Sequence, residues 1–374
     1  MNESKATRYQ RSRRRADALA VASSGLALLA IAVSPGAGWL ARATEAFGRG
    51  LSPVAQGAVA LVLFVVIVVV ACELAAVPAR LPRGRADRLA PSPGVDEVLI
   101  AQMRAALVFL PAAIAAAAAI RVATLVAGGW WWLVAGVALA GGLVAAARGA
   151  PALIARLARP RPLGRGDLAA DLTAIGRRAG VPIAGIDEIA AESAPGLTAV
   201  VSGLGRSRRV FLSSEVARDW SNAEITVVVA HEIAHHAHRD LARTLSLDAV
   251  VVAVALAAAH LIIGAAGPWL GGLAPADLAA LPLIAAIAGA VWVLATPLRH
   301  AESRRQERLA DALALVLTGG ADAFGAAIRR LGERRLAEER PSTLTRWLFH
   351  RHPSVTERLA MAETYRQSGP RLGA

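Results

Sequence analysis

His231-Glu232-Ile233-Ala234-His235 is the stretch on which the reading of this chain turns. Four steps round a helix of about 3.6 residues per turn bring two side chains nearly into line, so both imidazoles face the same way. One zinc ion can then take a nitrogen from each. Glu232 sits one step round the helix, within reach of a water on the metal. The pattern points to a zinc protease site, provided that the chain supplies a third ligand and a suitable context.

The residues around the stretch support a helix. Ser221 with Glu224 three residues on has capping-box spacing. Ile225, Val228, Val229 and Ile233 follow as an apolar face. Upstream, Asp167 to Arg178 reads as an amphipathic helix stopped by Gly180. Ile183 to Ala190, Thr198 to Ser202 and Arg209 to Leu212 read as strands, with a turn from Gly203 to Ser207. An extended peptide needs a strand edge to lie against. Val210 to Ser213, with Val210, Phe211 and Leu212, is the expected edge, the alternative being an ordinary buried strand.

Further out the composition changes class. The chain of 374 residues is 55% hydrophobic and only 18% charged, against about a quarter charged in a soluble protein. Six apolar runs are long enough to cross a bilayer: Ala18 to Val33, Val54 to Val77, Ala105 to Val126, Leu133 to Ala147, Leu245 to Ile263 and Leu278 to Leu298. A cleaved signal peptide is the alternative for the first, and the spans that follow argue for its retention. Trp130 to Trp132 suits an interfacial aromatic belt, and Glu73 an interface beside Arg80, Arg83, Arg85 and Arg88. Residues 34–53 are expected to form an outside loop. Cys72 is the single cysteine, so no internal disulfide forms.

The net charge of +13 is almost all arginine. The arginines cluster beside apolar runs, which fits membrane topology and not a nucleic-acid partner. Segments 1–15, 78–97, 148–243 and 299–374 are arginine-rich and fall on one side if six spans are threaded in order. The positive-inside rule then puts both ends and the histidine motif in the cytoplasm, with the protein in the plasma membrane. The domain reading is a membrane region over 1–147, a cytoplasmic part over 148–244, two spans over 245–298, and a second cytoplasmic part over 299–374.

The third ligand is sought after the last span. Glu307 is the candidate, and Asp311, four residues on, can accept a hydrogen bond from a ligand histidine. The alternative is an exposed Glu307 paired with Arg304 or Arg308. His236 and His238 fall off the metal face and are expected to be solvated or interfacial. His260 is expected to be a packed residue within a span, and His300 and His350 to lie at the membrane surface. Trp347-Leu348-Phe349 either dips into the interface or packs on the catalytic part.

Four stretches in order carry a family resemblance. They are Gly203-Leu204-Gly205-Arg206-Ser207-Arg208-Arg209-Val210-Phe211-Leu212, Ala230 to His235, Ser303-Arg304-Arg305-Gln306-Glu307-Arg308-Leu309-Ala310-Asp311, and His352-Pro353-Ser354 with Glu357-Arg358. Over roughly residues 165 to 366 the chain resembles the membrane zinc metallopeptidases that include the CAAX prenyl endopeptidases and the heat-shock protease HtpX. The resemblance implies one zinc per chain on His231, His235 and Glu307, with Glu232 as general base, Asp311 behind the ligands and His352 near the substrate. It also implies a mainly α integral membrane protein, with a zincin-like α+β domain split around the last two spans. Protein or peptide substrates at the membrane follow, and nothing specifies a prenylated one. The chain has Thr198-Ala199 where family members often carry Asn-Ala. The beta-lactam-sensor type of membrane metallopeptidase also resembles it, through His231 to His235 followed by Arg239-Asp240. A catalytically silent zinc sensor or scaffold is the rival reading, and a transporter with a metal domain a more distant one.

Overall fold

The computed structural model describes residues 5–81, 95–191, 197–203, 205–334 and 342–368. Arg83, Arg85, Arg88 and Leu204 lie outside the described residues.

The chain runs through α1 (Lys5–Val33), α2 (Pro35–Phe47), α3 (Pro53–Arg80), α4 (Val95–Val126) and α5 (Trp131–Ala158) before its first strand. Then follow β1 (Arg161–Pro162), α6 (Gly166–Arg178), β2 (Gly185–Ile189), β3 (Ala199–Ser202), β4 (Arg209–Ser213), α7 (Ser214–Asp219) and α8 (Asn222–Ala237). The chain closes with α9 (Asp240–Ala266), α10 (Leu281–Thr318), α11 (Ala321–Arg334), α12 (Thr343–Phe349) and α13 (Val355–Ser368). Among the described residues, six helical stretches are long and apolar enough to cross a membrane. The protein is a multi-pass, mainly α membrane protein.

Two expectations need correction here. Residues 34–53 are not a plain loop, because Ser34 caps α2, Pro35 occupies its first turn, and Ala37 and Ala41 are buried. The sixth span and the start of the second cytoplasmic part, with Glu307, are one helix. Pro297 lies inside α10 without ending it. Proline in a helix removes one backbone hydrogen bond, which a long helix can absorb as a local kink.

One compact unit comprises residues 1–141 and 248–296. In it α3 packs against α1, α2 and α4. Its core gathers Phe64, Val65, Trp131, Leu256, Ile263 and Ile284. His260 packs beside Trp131 and Trp132, with ring centroids 6.1 and 6.4 Å away, as expected of a packed residue.

The other unit comprises residues 142–247 and 297–374. Among the described residues its strands form one sheet in the order β1-β2-β4-β3. β2 runs parallel to β4, and β1 and β3 are antiparallel to their neighbours. Strand β4 is therefore central, and Val210, Phe211 and Leu212 do not form an edge. Their main-chain groups are committed on both sides, and the three side chains are 0%, 1% and 0% exposed. Three consecutive apolar residues suit a strand covered on both faces. Two strands keep one side without a strand partner among the described residues, β1, which pairs only with β2, and β3, which pairs only with β4. Gly203 lets the chain turn from β3 back into β4. It holds φ at +113°, and a Cβ there would stand 2.7 Å from the Ser207 carbonyl oxygen.

Helix α8 starts on the expected capping box: the Ser221 hydroxyl accepts from the Glu224 amide, and the Glu224 carboxylate accepts from the Ser221 amide. Ser221→Ala should destabilise the unit by about 1 kcal/mol, read as earlier thermal unfolding. The apolar face of α8 is fully buried at Ile225, Val229 and Ile233, packed with Leu168, Leu172 and Leu212. That burial sets the rotation of α8 about its axis.

Candidate metal centre

The rotation fixed by Ile225, Val229 and Ile233 turns His231 and His235 to the same side of α8. Their Nε2 atoms stand 3.2 Å apart. Helix α10 brings Glu307 to them: Oε2 lies 3.4 Å from His231 Nε2, and Oε1 3.7 Å from His235 Nε2. All three donor atoms lie within 4.8 Å of one another. The expected alternative for Glu307 is overturned, since it is 6% exposed and turned towards the histidines. Arg304 instead gives its Nη1 to the main-chain carbonyls of Arg346 and His350.

Each histidine is held from behind. His231 Nδ1 is 2.8 Å from Asp311 Oδ1, and His235 Nδ1 is 2.8 Å from Asp240 Oδ2. A carboxylate behind Nδ1 favours a proton there and leaves Nε2 as the free donor to a metal. Asp311 is completely buried and is gripped by the Arg358 fork, Nε to Oδ2 at 2.8 Å and Nη2 to Oδ1 at 2.5 Å. Asp240 entered the sequence reading only as part of a similarity. Its offset of five from His235 crosses the end of α8, so helical spacing could not predict the contact.

His352 Nδ1 stands 2.9 Å from Glu307 Oε1. Thr198, Ala199, His231, Glu232, Glu307 and His352 are among the residues lining a cavity of about 170 Å³. The β3 end and the unusual Thr198 thus border the same space as the three donors. His236, expected to be solvated or interfacial, is half-buried, and its Nε2 is 2.9 Å from the Val201 carbonyl, which ties α8 to β3. His300 is also buried rather than at a surface, 8% exposed and hydrogen-bonded to the Trp347 main chain.

Two nitrogens and one carboxylate are a donor set for catalytic zinc, which keeps one position open. The fit is supported by the buried Glu307 carboxylate, which is turned onto the Nε2 atoms of both imidazoles at 3.4 and 3.7 Å. Burial acts to lower the His231 pKa, but hydrogen bonding to Asp311 and Glu307 outweighs it and raises the group to about 10. These contacts favour the protonated imidazole, and a metal on Nε2 would have to displace that proton. Zinc affinity should rise about tenfold per pH unit below that value, with one proton released on binding. Titration calorimetry in buffers of different ionisation enthalpy measures this. Burial also pushes the Glu232 carboxyl up from its usual value, against the opposing pull of His231 and His235. Asp240→Asn should weaken zinc binding by about 10–100-fold, read by competition with a chromogenic chelator.

The model of the family described as "Peptidase family M48" matches residues 162–366. Among curated proteins, the chain is 26% identical over 227 residues to "Uncharacterized metalloprotease YhfN" of Bacillus subtilis (strain 168). That match covers 54% of this chain and 49% of the relative, so the chain spans about half the length of the curated relative it matches. The fold is similar to the crystal structure of S. mikatae Ste24p, with a TM-score of 0.63 and 16% identity. That likeness covers 86% of this chain and 79% of the other.

Proposed function

The chain belongs to peptidase family M48, and from that premise we propose that it is a membrane zinc endopeptidase, with His231, His235 and Glu307 as the metal ligands. The observation that carries the reading is the convergence of those three donors within 4.8 Å, on a cavity that Glu232 also lines. When bound, zinc supplies a Lewis acid for the scissile carbonyl and a water acidified to a pKa of about 7. Glu232 takes the proton of the attacking water and returns it to the leaving amine. Its raised pKa suits a group that must both accept and give a proton near neutral pH. Asp311 and Asp240 hold the two imidazoles in the required tautomer. His352, beside Glu307, faces the substrate.

The substrate lies extended along β3 at its Ala199 end, on the side that has no strand partner among the described residues, and β3 replaces β4 in this role. Ala199 of that strand lines the cavity with His231 and Glu232. Main-chain hydrogen bonds hold such a peptide whatever its sequence. The substrates are membrane or membrane-proximal proteins, and the site opens to the cytoplasm of a plasma-membrane protein with both ends inside. The support for that orientation is the arginine distribution. The test uses the full chain purified in detergent with zinc and a loosely folded protein substrate. Cleavage should stop on chelation and return with added zinc, and Glu307→Ala should lose the metal. Cleavage that survives complete zinc removal refutes the reading.

A further inference from the structure

Arg304 is a buried guanidinium, 7% exposed, in a place where neutral residues would pack more cheaply. It stands one turn before Glu307 on α10, so both side chains project from the same face. Its Nη1 donates to the carbonyl of Arg346 at 3.0 Å and to that of His350 at 2.7 Å. These carbonyls belong to the last turn and cap of α12: that of Arg346 also accepts the His350 amide at 3.2 Å, and that of His350 lies just past the helix end. His300, one turn earlier on α10, bonds the Trp347 main chain. At the other end of the same short segment, His352 Nδ1 reaches Glu307 Oε1 at 2.9 Å. Three successive turns of α10 thus hold the strap from Arg346 to His352. The far side of the strap is also fixed, because Arg346 Nη1 reaches Glu357 Oε1 at 2.6 Å while Glu357 caps Ser354.

We propose that Arg304 is a positioning residue that sets His352 against the substrate by gripping the end of α12. The inference rests on the peptidase reading given above. Arg304 touches neither the metal donors nor the cavity, and it acts only through the main chain that leads to His352. A positively charged fork suits the task because it can serve two carbonyls at once. A strap that shifts by an ångström takes the imidazole out of reach of the reacting groups. Misplacement on that scale is worth about 10²-fold in rate.

The test is a double-mutant cycle on the full chain in detergent with zinc, comparing wild type, Arg304→Ala, His352→Ala and the double variant. Zinc content and thermal unfolding are measured alongside, and Glu232→Gln serves as the inactive control. Arg304→Ala should lower kcat by about 10²-fold, leave KM nearly unchanged and keep one zinc per chain. In the His352→Ala background the same change should cost about twofold or less, because the two residues act as one unit. Arg304→Lys should recover part of the lost rate. If the two single effects multiply in the double variant, or if Arg304→Ala keeps the wild-type kcat, the proposal is overturned. Should Arg304→Ala melt early or lose zinc, the cycle is repeated with Arg304→Gln, which keeps one donor for the carbonyls. Converging effects there support the assignment, and multiplying ones refute it. A Glu232→Gln protein that cleaves like the wild type refutes the peptidase reading itself, whereas an inactive control with multiplying effects removes only the role of Arg304.

Discussion

Glu232→Gln should bind one zinc per chain as the wild type does and cleave a loosely folded substrate about 10²–10⁴-fold more slowly. The amide has nearly the shape of the carboxylate, so the cavity and the packing of α8 are preserved. Zinc binding survives because Glu232 is not among the three converging donors. What disappears is the group that takes the proton of the attacking water. Burial has already raised the Glu232 pKa, so its proton affinity is nearer that of the leaving amine than an exposed carboxylate's would be. Metal content by mass spectrometry and initial rates in the same preparation separate the two effects. Equal rates in the two proteins would remove Glu232 from its role as the base.

Asp311→Ala should destabilise the protein by about 3–5 kcal/mol, the largest stability effect expected around the site. Asp311 has no exposed surface, and it receives both prongs of Arg358 and the Nδ1 of His231. Removing it strands a guanidinium whose side chain is only 13% exposed. Arg358 also packs 5.8 Å from the Phe324 ring centre, so it cannot swing into water without disturbing that core. The damage should be reduced in the double variant Asp311→Ala, Arg358→Met, where no charge is left alone. Thermal unfolding of zinc-loaded and chelated samples would show it. A Tm within a degree of wild type for the single variant would contradict the argument.

The sequence was informative where chemistry is local. Ser221 and Glu224 announced the start of α8, and the four-residue spacing of His231 and His235 put both imidazoles on one face. The apolar runs marked the candidate spans because a bilayer imposes a length that composition alone reveals. Partnerships across the fold were harder to read. Val210 to Leu212 reads equally as an edge or a centre, because strand order depends on which strands reach its two sides. Asp240 and Arg304 look like ordinary surface charges in the sequence. Their roles depend on a helix end and on a strap that returns from far along the chain.

Strand β3 has only four residues, Ala199–Ser202, or about 13 Å of extended chain. An edge of that length makes few side-chain pockets, and main-chain pairing is blind to sequence. If it holds the substrate as proposed, it would accept any segment that can come loose from its own fold for about that distance, and no segment that cannot. The enzyme proposed here would therefore sort its clients by local unfolding free energy. A well-packed membrane protein and a damaged copy of the same protein would be told apart by how often a few residues fray.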